Sequence, residues 1–348
     1  MERKKAVWLT EHFRKCYNVP EKTAEGRVFM RRTRLRNHQK RHYSDHTGEK
    51  RFPWRLIAIL VCVAVLLVSG GMLVDYAVDY IGAKNAANEL REIYYQETPV
   101  PTATATAAPT RIPQATAVPA ITPIPQNTDL LPVVYYPGNT SARVRDRFSS
   151  LQRQNKDIIG WVRIDELLDE PVVQRDNTFY LTRDYRGYHN VNGAIFLDES
   201  CGLKTRPYTL TIYGHNMKTG AMFGGLRNYE NINYYKNNPI ISFDSAYEDG
   251  RYVIFSIATV STRTKDRDFL DFSKLQSASI QGRQKGIDQL KNLSVYTTNV
   301  DVQPSDQLLL LVTCVEDEND RRVIAARRVR NGESEIKLRE TVQKSRKK

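Results

Sequence analysis

The stretch QLLLLVTCVEDENDRRVIAARRV, residues 307–329, decides how the chain is read. Its first part is a strongly apolar strand that ends on Cys314, and VEDEND is an acidic turn. The last part re-enters a sheet with a period of two. Arg322, Ile324, Ala326 and Arg328 then share one face, and Arg321, Val323, Ala325 and Arg327 share the other. Either Arg322 or Arg321 therefore returns beside the cysteine, depending on a register that the turn leaves open.

Five further runs upstream have the same strand character: DIIGWVRI (157–164), PVVQ (171–174), AIFLD (194–198), YTLTIYGH (208–215) and YVIFSIATV (252–260). Gly, Asn and Asp punctuate them. ARVRDRFSSLQRQN (142–155) carries Val144, Phe148 and Leu151 at helical spacing. Helical content is otherwise expected near Met222–Tyr229 and in an insertion around Ile280–Asn292, ahead of the cysteine strand. The class is mainly β. A closed or partly closed barrel of seven to eight strands, with a helix at its start and a helical insertion, satisfies this order.

The amino-terminal third is organised differently. LIAILVCVAVLLVSGGMLV (Leu56–Val74) holds no charge, and at ~1.5 Å per residue it matches the ~30 Å hydrocarbon core of a bilayer. One transmembrane helix is expected there, with Arg51 and Arg55 before it and Asp75 after, so the N-terminus is expected inside and the remainder outside. Most of the chain's excess of 52 Lys+Arg over 39 Asp+Glu sits in that tail, because residues 1–55 hold sixteen basic and six acidic side chains. Anionic lipid is the expected partner of the tail. Nucleic acid is not expected: HTGEK (46–50) resembles a zinc-finger linker, but Cys16 is the only thiol nearby and zinc takes four ligands.

Prolines at 99, 101, 109, 113, 119, 123 and 125 make residues 98–130 an extended stalk, expected to hold a catalytic head away from the bilayer. The expected organisation is a basic cytoplasmic tail (1–55), the membrane helix (56–74), a juxtamembrane helical segment (75–97), the stalk (98–130), the catalytic domain (131–335) and a basic C-terminal tail (336–348).

Two reactive side chains end strongly apolar strands, His215 after TLTIYG and Cys314 after LLLLVT. A strand end exposes a side chain while keeping its backbone rigid, which suits catalysis. Cys201 is the other cysteine expected outside the membrane, so a Cys201–Cys314 disulfide in an inactive, stalked peptide-binding module is the competing reading. No metal or cofactor site is legible.

YGHNM, LVTC and RRVIAARRV, in that order at the back of an exported β-rich domain, resemble the sortases. NKDIIGWVRI, PVVQRDNTFYLTRDY, GAIFLDES and the long insertion before the cysteine strand narrow the resemblance to class B. It implies a sortase-like barrel and a cysteine transpeptidase that acts on the C-terminal sorting signals of exported proteins. The acceptor it implies is a peptidoglycan or pilin amine. Cys314 would be the nucleophile, His215 the acid and base, and Arg322 the oxyanion-holding cation, with Arg321 next in line. Val312 stands where the family often has a hydroxyl, two residues before the cysteine. The insertion Thr262–Asn299 is the expected cover of the substrate groove.

Overall fold

Eight strands hydrogen-bond into a closed barrel in the order Ile158–Ile164, Leu168–Val173, Phe196–Leu197, Thr209–Tyr213, Leu308–Cys314, Asp320–Arg328, Arg251–Ser261 and Ile240–Ser245, the last returning to the first. The computed structural model describes residues 54–96, 129–315 and 319–348. In chain order the elements are α1 (Trp54–Tyr95), α2 (Asp146–Gln154), β1 (Ile158–Ile164), β2 (Leu168–Val173), β3 (Phe196–Leu197) and β4 (Thr209–Tyr213). Then follow α3 (Ile232–Asn237), β5 (Ile240–Ser245), β6 (Arg251–Ser261), α4 (Phe272–Gln276), α5 (Ile280–Leu293) and β7 (Tyr296–Thr297). The chain closes with β8 (Leu308–Cys314), β9 (Asp320–Arg328), α6 (Glu335–Gln343) and β10 (Arg346–Lys347).

The barrel has the strand count and the closure expected of it. All seven expected strands form, and the eighth is β5, which its sequence hides: Ile240, Ile241 and Phe243 are its only large apolar residues, between Pro239 and Asp244. The stretch expected as a helix near Met222–Tyr229 is a 3-10 turn at Gly224–Glu230. β4 and β8 run parallel, and every residue of β4 and all of β8 except Cys314 are buried. Strands covered on both faces become continuous apolar runs, which is why LLLLV shows no alternation.

The described chain divides at Val78/Asp79 into two compact units. In the first, the apolar half of α1 is exposed along its length, and among the described residues α1 is the helix long and apolar enough to cross a membrane. In the second, the polar half of α1 is part of the barrel's packing. Ala86, Ala87, Leu90 and Tyr94 are buried, and the Tyr94 ring stacks on Trp161 with centroids 4.3 Å apart. Arg91 Nε lies 2.9 Å from the Asp169 carboxylate.

The segment expected as a basic C-terminal tail is folded instead. Ser334 caps α6, Leu338 and Val342 are buried, and β10 pairs with β7. The basic tail 1–53 and most of the stalk, 97–128, lie outside the described residues.

Candidate active site

Tyr213 and Val312 are partners across the parallel β4–β8 pair, so the two residues beyond each, His215 and Cys314, leave the sheet at the same rim. The rim is tied by Gly214 N–H donating to Val312 O at 3.3 Å and by Thr313 Oγ1 donating to Gly214 O at 2.7 Å. Gly214 has no room for a side chain, since a Cβ there would lie 2.8 Å from the Phe223 ring. The Thr313 hydroxyl, adjacent to the cysteine, is thus used to hold the histidine strand, while Val312 is simply buried.

The antiparallel β8–β9 register pairs Cys314 with Arg321 and Thr313 with Arg322. Directly opposed residues of an antiparallel pair project to the same side of the sheet. Arg321 therefore shares the thiol's face. Arg322, the arginine first expected there, projects to the other face, where its guanidinium pairs with Glu230. With six residues between Cys314 and Arg321 in this register, Arg322 falls opposite Thr313 and not opposite the sulfur. Arg321 is buried and donates to Asp320 O at 2.8 Å.

His215 is also buried, and its Nε2 lies 2.7 Å from Leu181 O. A carbonyl can only accept, so Nε2 carries the hydrogen, and in the neutral ring Nδ1 is the basic nitrogen. Burial lowers the His215 pKa below the usual imidazole value, partly offset by the Leu181 hydrogen bond, so the ring is neutral at physiological pH. Gly193 makes this packing feasible. It takes a φ of +61°, and a Cβ there would lie 2.7 Å from Tyr180 O and 3.1 Å from His215 Cδ2.

Cys314 is partly exposed and is not in a disulfide. Cys201 is not in a disulfide either; it is buried, donating to Thr209 O at 3.5 Å, with burial pushing its pKa up to about 12. Thr209 pairs with Leu308, six residues before Cys314 along β8. At ~3.3 Å per residue that is ~20 Å, whereas a disulfide needs Cα atoms within ~7 Å. No Cys201–Cys314 disulfide is formed, and the bridge on which the inactive reading depends is absent. His189 is exposed, and the acidic residues 316–318 lie outside the described residues.

The insertion begins at the cysteine rim, where Thr262 N–H donates to Asn319 O at 2.9 Å. It reaches the opposite rim, where Thr209 Oγ1 donates to Leu275 O at 2.6 Å. Fully buried Arg283 of α5 locks it there by donating to Tyr208 O, Thr209 Oγ1, Pro304 O and Asp306 O. Sequence reasoning missed this arginine, which the charge-rich helix gives no reason to expect inside.

The closed barrel thus carries a partly exposed thiol and a buried imidazole at one rim, the groups that a thiol-dependent enzyme uses. The sortase-domain family model matches residues 163–329. Sortase B of Staphylococcus aureus is 31% identical over 190 residues, which is 53% of this chain and 75% of that protein. Sortase B of Listeria monocytogenes is 32% identical over 196 residues, 55% of this chain and 77% of the relative. The crystal structure of Bacillus anthracis sortase B in complex with AAEK2 superposes with a TM-score of 0.54 at 25% identity, covering 72% of this chain and 98% of that one. The chain belongs to the sortase family, with its consistent similarity to sortase B, and is a transpeptidase with a single-pass membrane topology.

Proposed function

We propose that this protein cleaves the C-terminal sorting signal of exported proteins through a thioester on Cys314 and transfers the acyl group to an amine of the cell wall or of a pilin. The observation that carries the reading is the pair of registers, Tyr213 with Val312 and Cys314 with Arg321, which bring three chemistry-bearing residues to one barrel rim.

In this reading His215 Nδ1 takes the thiol proton as sulfur bonds to the scissile carbonyl carbon. The C–N bond then breaks, and Nδ1–H delivers that proton to the leaving amine. In the second half an incoming amine attacks the thioester, gives its proton to Nδ1, and expels sulfur, which recovers the proton. Arg321, not Arg322, offers the positive charge to the oxyanion of both tetrahedral intermediates, an effect of about 3 kcal/mol for a well-placed donor. The insertion forms one wall of the groove and limits competition from water.

The basic tail is assigned to the cytoplasm and to anionic lipid headgroups, and the barrel to the cell exterior. The deciding experiment is thioester trapping with a library of sorting peptides on the full-length protein in detergent. A covalent adduct on Cys314, absent in Cys314→Ala, is expected. Full peptide cleavage by Cys314→Ala or His215→Ala would reject the assigned roles.

A further inference from the structure

Two supports hold His215, and both run to one buried tyrosine. The first is Leu181 O, which takes the ring's Nε2 hydrogen at 2.7 Å, four residues before Tyr185 in the same connection. That connection is pinned by Asn155 Nδ2, which donates to Tyr185 O at 2.6 Å and to Tyr180 Oη at 2.8 Å. The second support is the loop that follows the histidine. It folds back so that Asn216 bridges to Met222 and Phe223 N–H donates to His215 O at 2.9 Å. Met222 closes this loop with a φ of +52°, a left-handed conformation that a residue with a side chain keeps only when its surroundings impose it.

Tyr185 is fully buried and supplies part of those surroundings, with Oη 3.7 Å from Met222 Sδ. The same Oη is 3.1 Å from Glu170 Oε2 on β2. A phenol has one hydrogen to donate. It goes to Glu170 when that carboxyl is ionised. When Glu170 is protonated, the acid can donate to the phenol oxygen, and the phenol hydrogen is released to the Met222 sulfur.

We propose that Glu170 and Tyr185 are positioning residues for His215, acting through Met222, and that protonation of Glu170 closes the hydrogen bond that steadies the histidine loop. This inference rests on the assignment of His215 as the acid–base group. The groups that face Glu170 are few. Arg91 of α1 has Nη2 4.0 Å away but is held more closely by Asp169, the acidic neighbour on the same strand, and across the sheet stands apolar Val162. Burial outweighs the Tyr185 and Arg91 contacts and pushes the Glu170 carboxyl up to about 7, which sets the change inside the physiological range.

The test is the pH dependence of kcat and KM for peptide cleavage by the full-length protein in detergent, with Glu170→Gln, Tyr185→Phe and His215→Ala. A glutamine amide donates to the phenol as the protonated acid does. Glu170→Gln should therefore lose the kcat limb near pH 7 and exceed wild type by about threefold at pH 8, with KM unchanged. Tyr185→Phe holds Met222 in neither state, and its kcat should be low and lack the same limb. The methyl resonance of Met222 in methionine-labelled protein should titrate near 7 in wild type and stay fixed in Glu170→Gln. An unaltered kcat limb in Glu170→Gln, or a Met222 signal that titrates alike in both, overturns the proposal. If His215→Ala keeps full activity, the acid–base assignment fails instead, so the two failures are distinguishable.

Discussion

At the scale of single residues, the two arginines that open β9 give the sharpest separation of roles. Arg321 faces the thiol across the β8–β9 register, and Arg322 faces a largely exposed Glu230. Arg321→Ala is expected to lower kcat for peptide cleavage about 100-fold, the usual effect of removing one oxyanion donor. Arg322→Ala removes a pair whose partner is solvated, and less than about a tenfold change is expected. Equal losses from the two substitutions would show that the register does not select the catalytic arginine.

His215 makes a separate, thermodynamic prediction. Its pKa is lowered by burial, so the unfolded chain binds its proton more readily than the folded one. The associated stability is fully present above the unfolded value of ~6.5 and is lost as pH falls through and below it. Glu170 acts with the opposite sign: its raised pKa gives stability that is present below the unfolded value of ~4.3 and lost as pH rises through about 7. Thermal unfolding followed at several pH values should therefore show Glu170→Gln stabilised relative to wild type at pH 8. His215→Gln should lessen the loss of stability between pH 7 and 5. Parallel curves for all three proteins would contradict both signs.

At the scale of elements, the polar half of α1 carries more of the domain than its sequence declares. Tyr94 is buried against Trp161, accepts a hydrogen bond from Arg147 at 3.2 Å and donates to Asp244. Tyr94→Ala is expected to cost about 3 kcal/mol, as large-to-small changes at well-packed aromatic sites do, measured as a shift in the denaturant midpoint of barrel unfolding. A change within error would mean that the helix is not part of the barrel's cooperative unit.

What was legible follows from the same physics. Cys314 and His215 stood out because long apolar runs end on them, and the barrel because turn residues separate its strands. The choice between Arg321 and Arg322 did not, because alternation gives faces but not the register across a turn. β5 was too short to declare a period, and buried Tyr185 and Arg283 and half-buried Glu170 are polar residues whose placement only the packed structure reveals. The docking stripe of α1, Ala86, Ala87, Leu90 and Tyr94, holds only one large aliphatic residue beside two small ones and an amphipathic tyrosine, so it reads as a solvated face.

At the scale of the whole molecule, that stripe changes what the Pro/Thr/Ala-rich segment connects. Residues 79–96 precede it and residues 129–348 follow it, and both belong to the same compact unit. The following chain is anchored independently: Asp129 O accepts from Ile280 N–H at 2.7 Å and its carboxylate from Ser279 Oγ at 2.6 Å, at the start of α5. The described residues on either side of it, up to 96 and from 129, fall in one body. We propose that α1 itself, and not only the expected stalk, joins the membrane span to the barrel. The distinction is measurable by introducing a protease site between residues 101 and 125, cutting the full-length protein in isolated membranes, and washing. If α1 is the attachment, the fragment carrying Cys314 should stay with the membrane after complete cleavage. Tyr94→Ala combined with Arg91→Ala should release it, because those changes remove the Trp161 stack and the Asp169 ion pair. Release of the wild-type barrel on cleavage alone would restore the stalk as the sole tether.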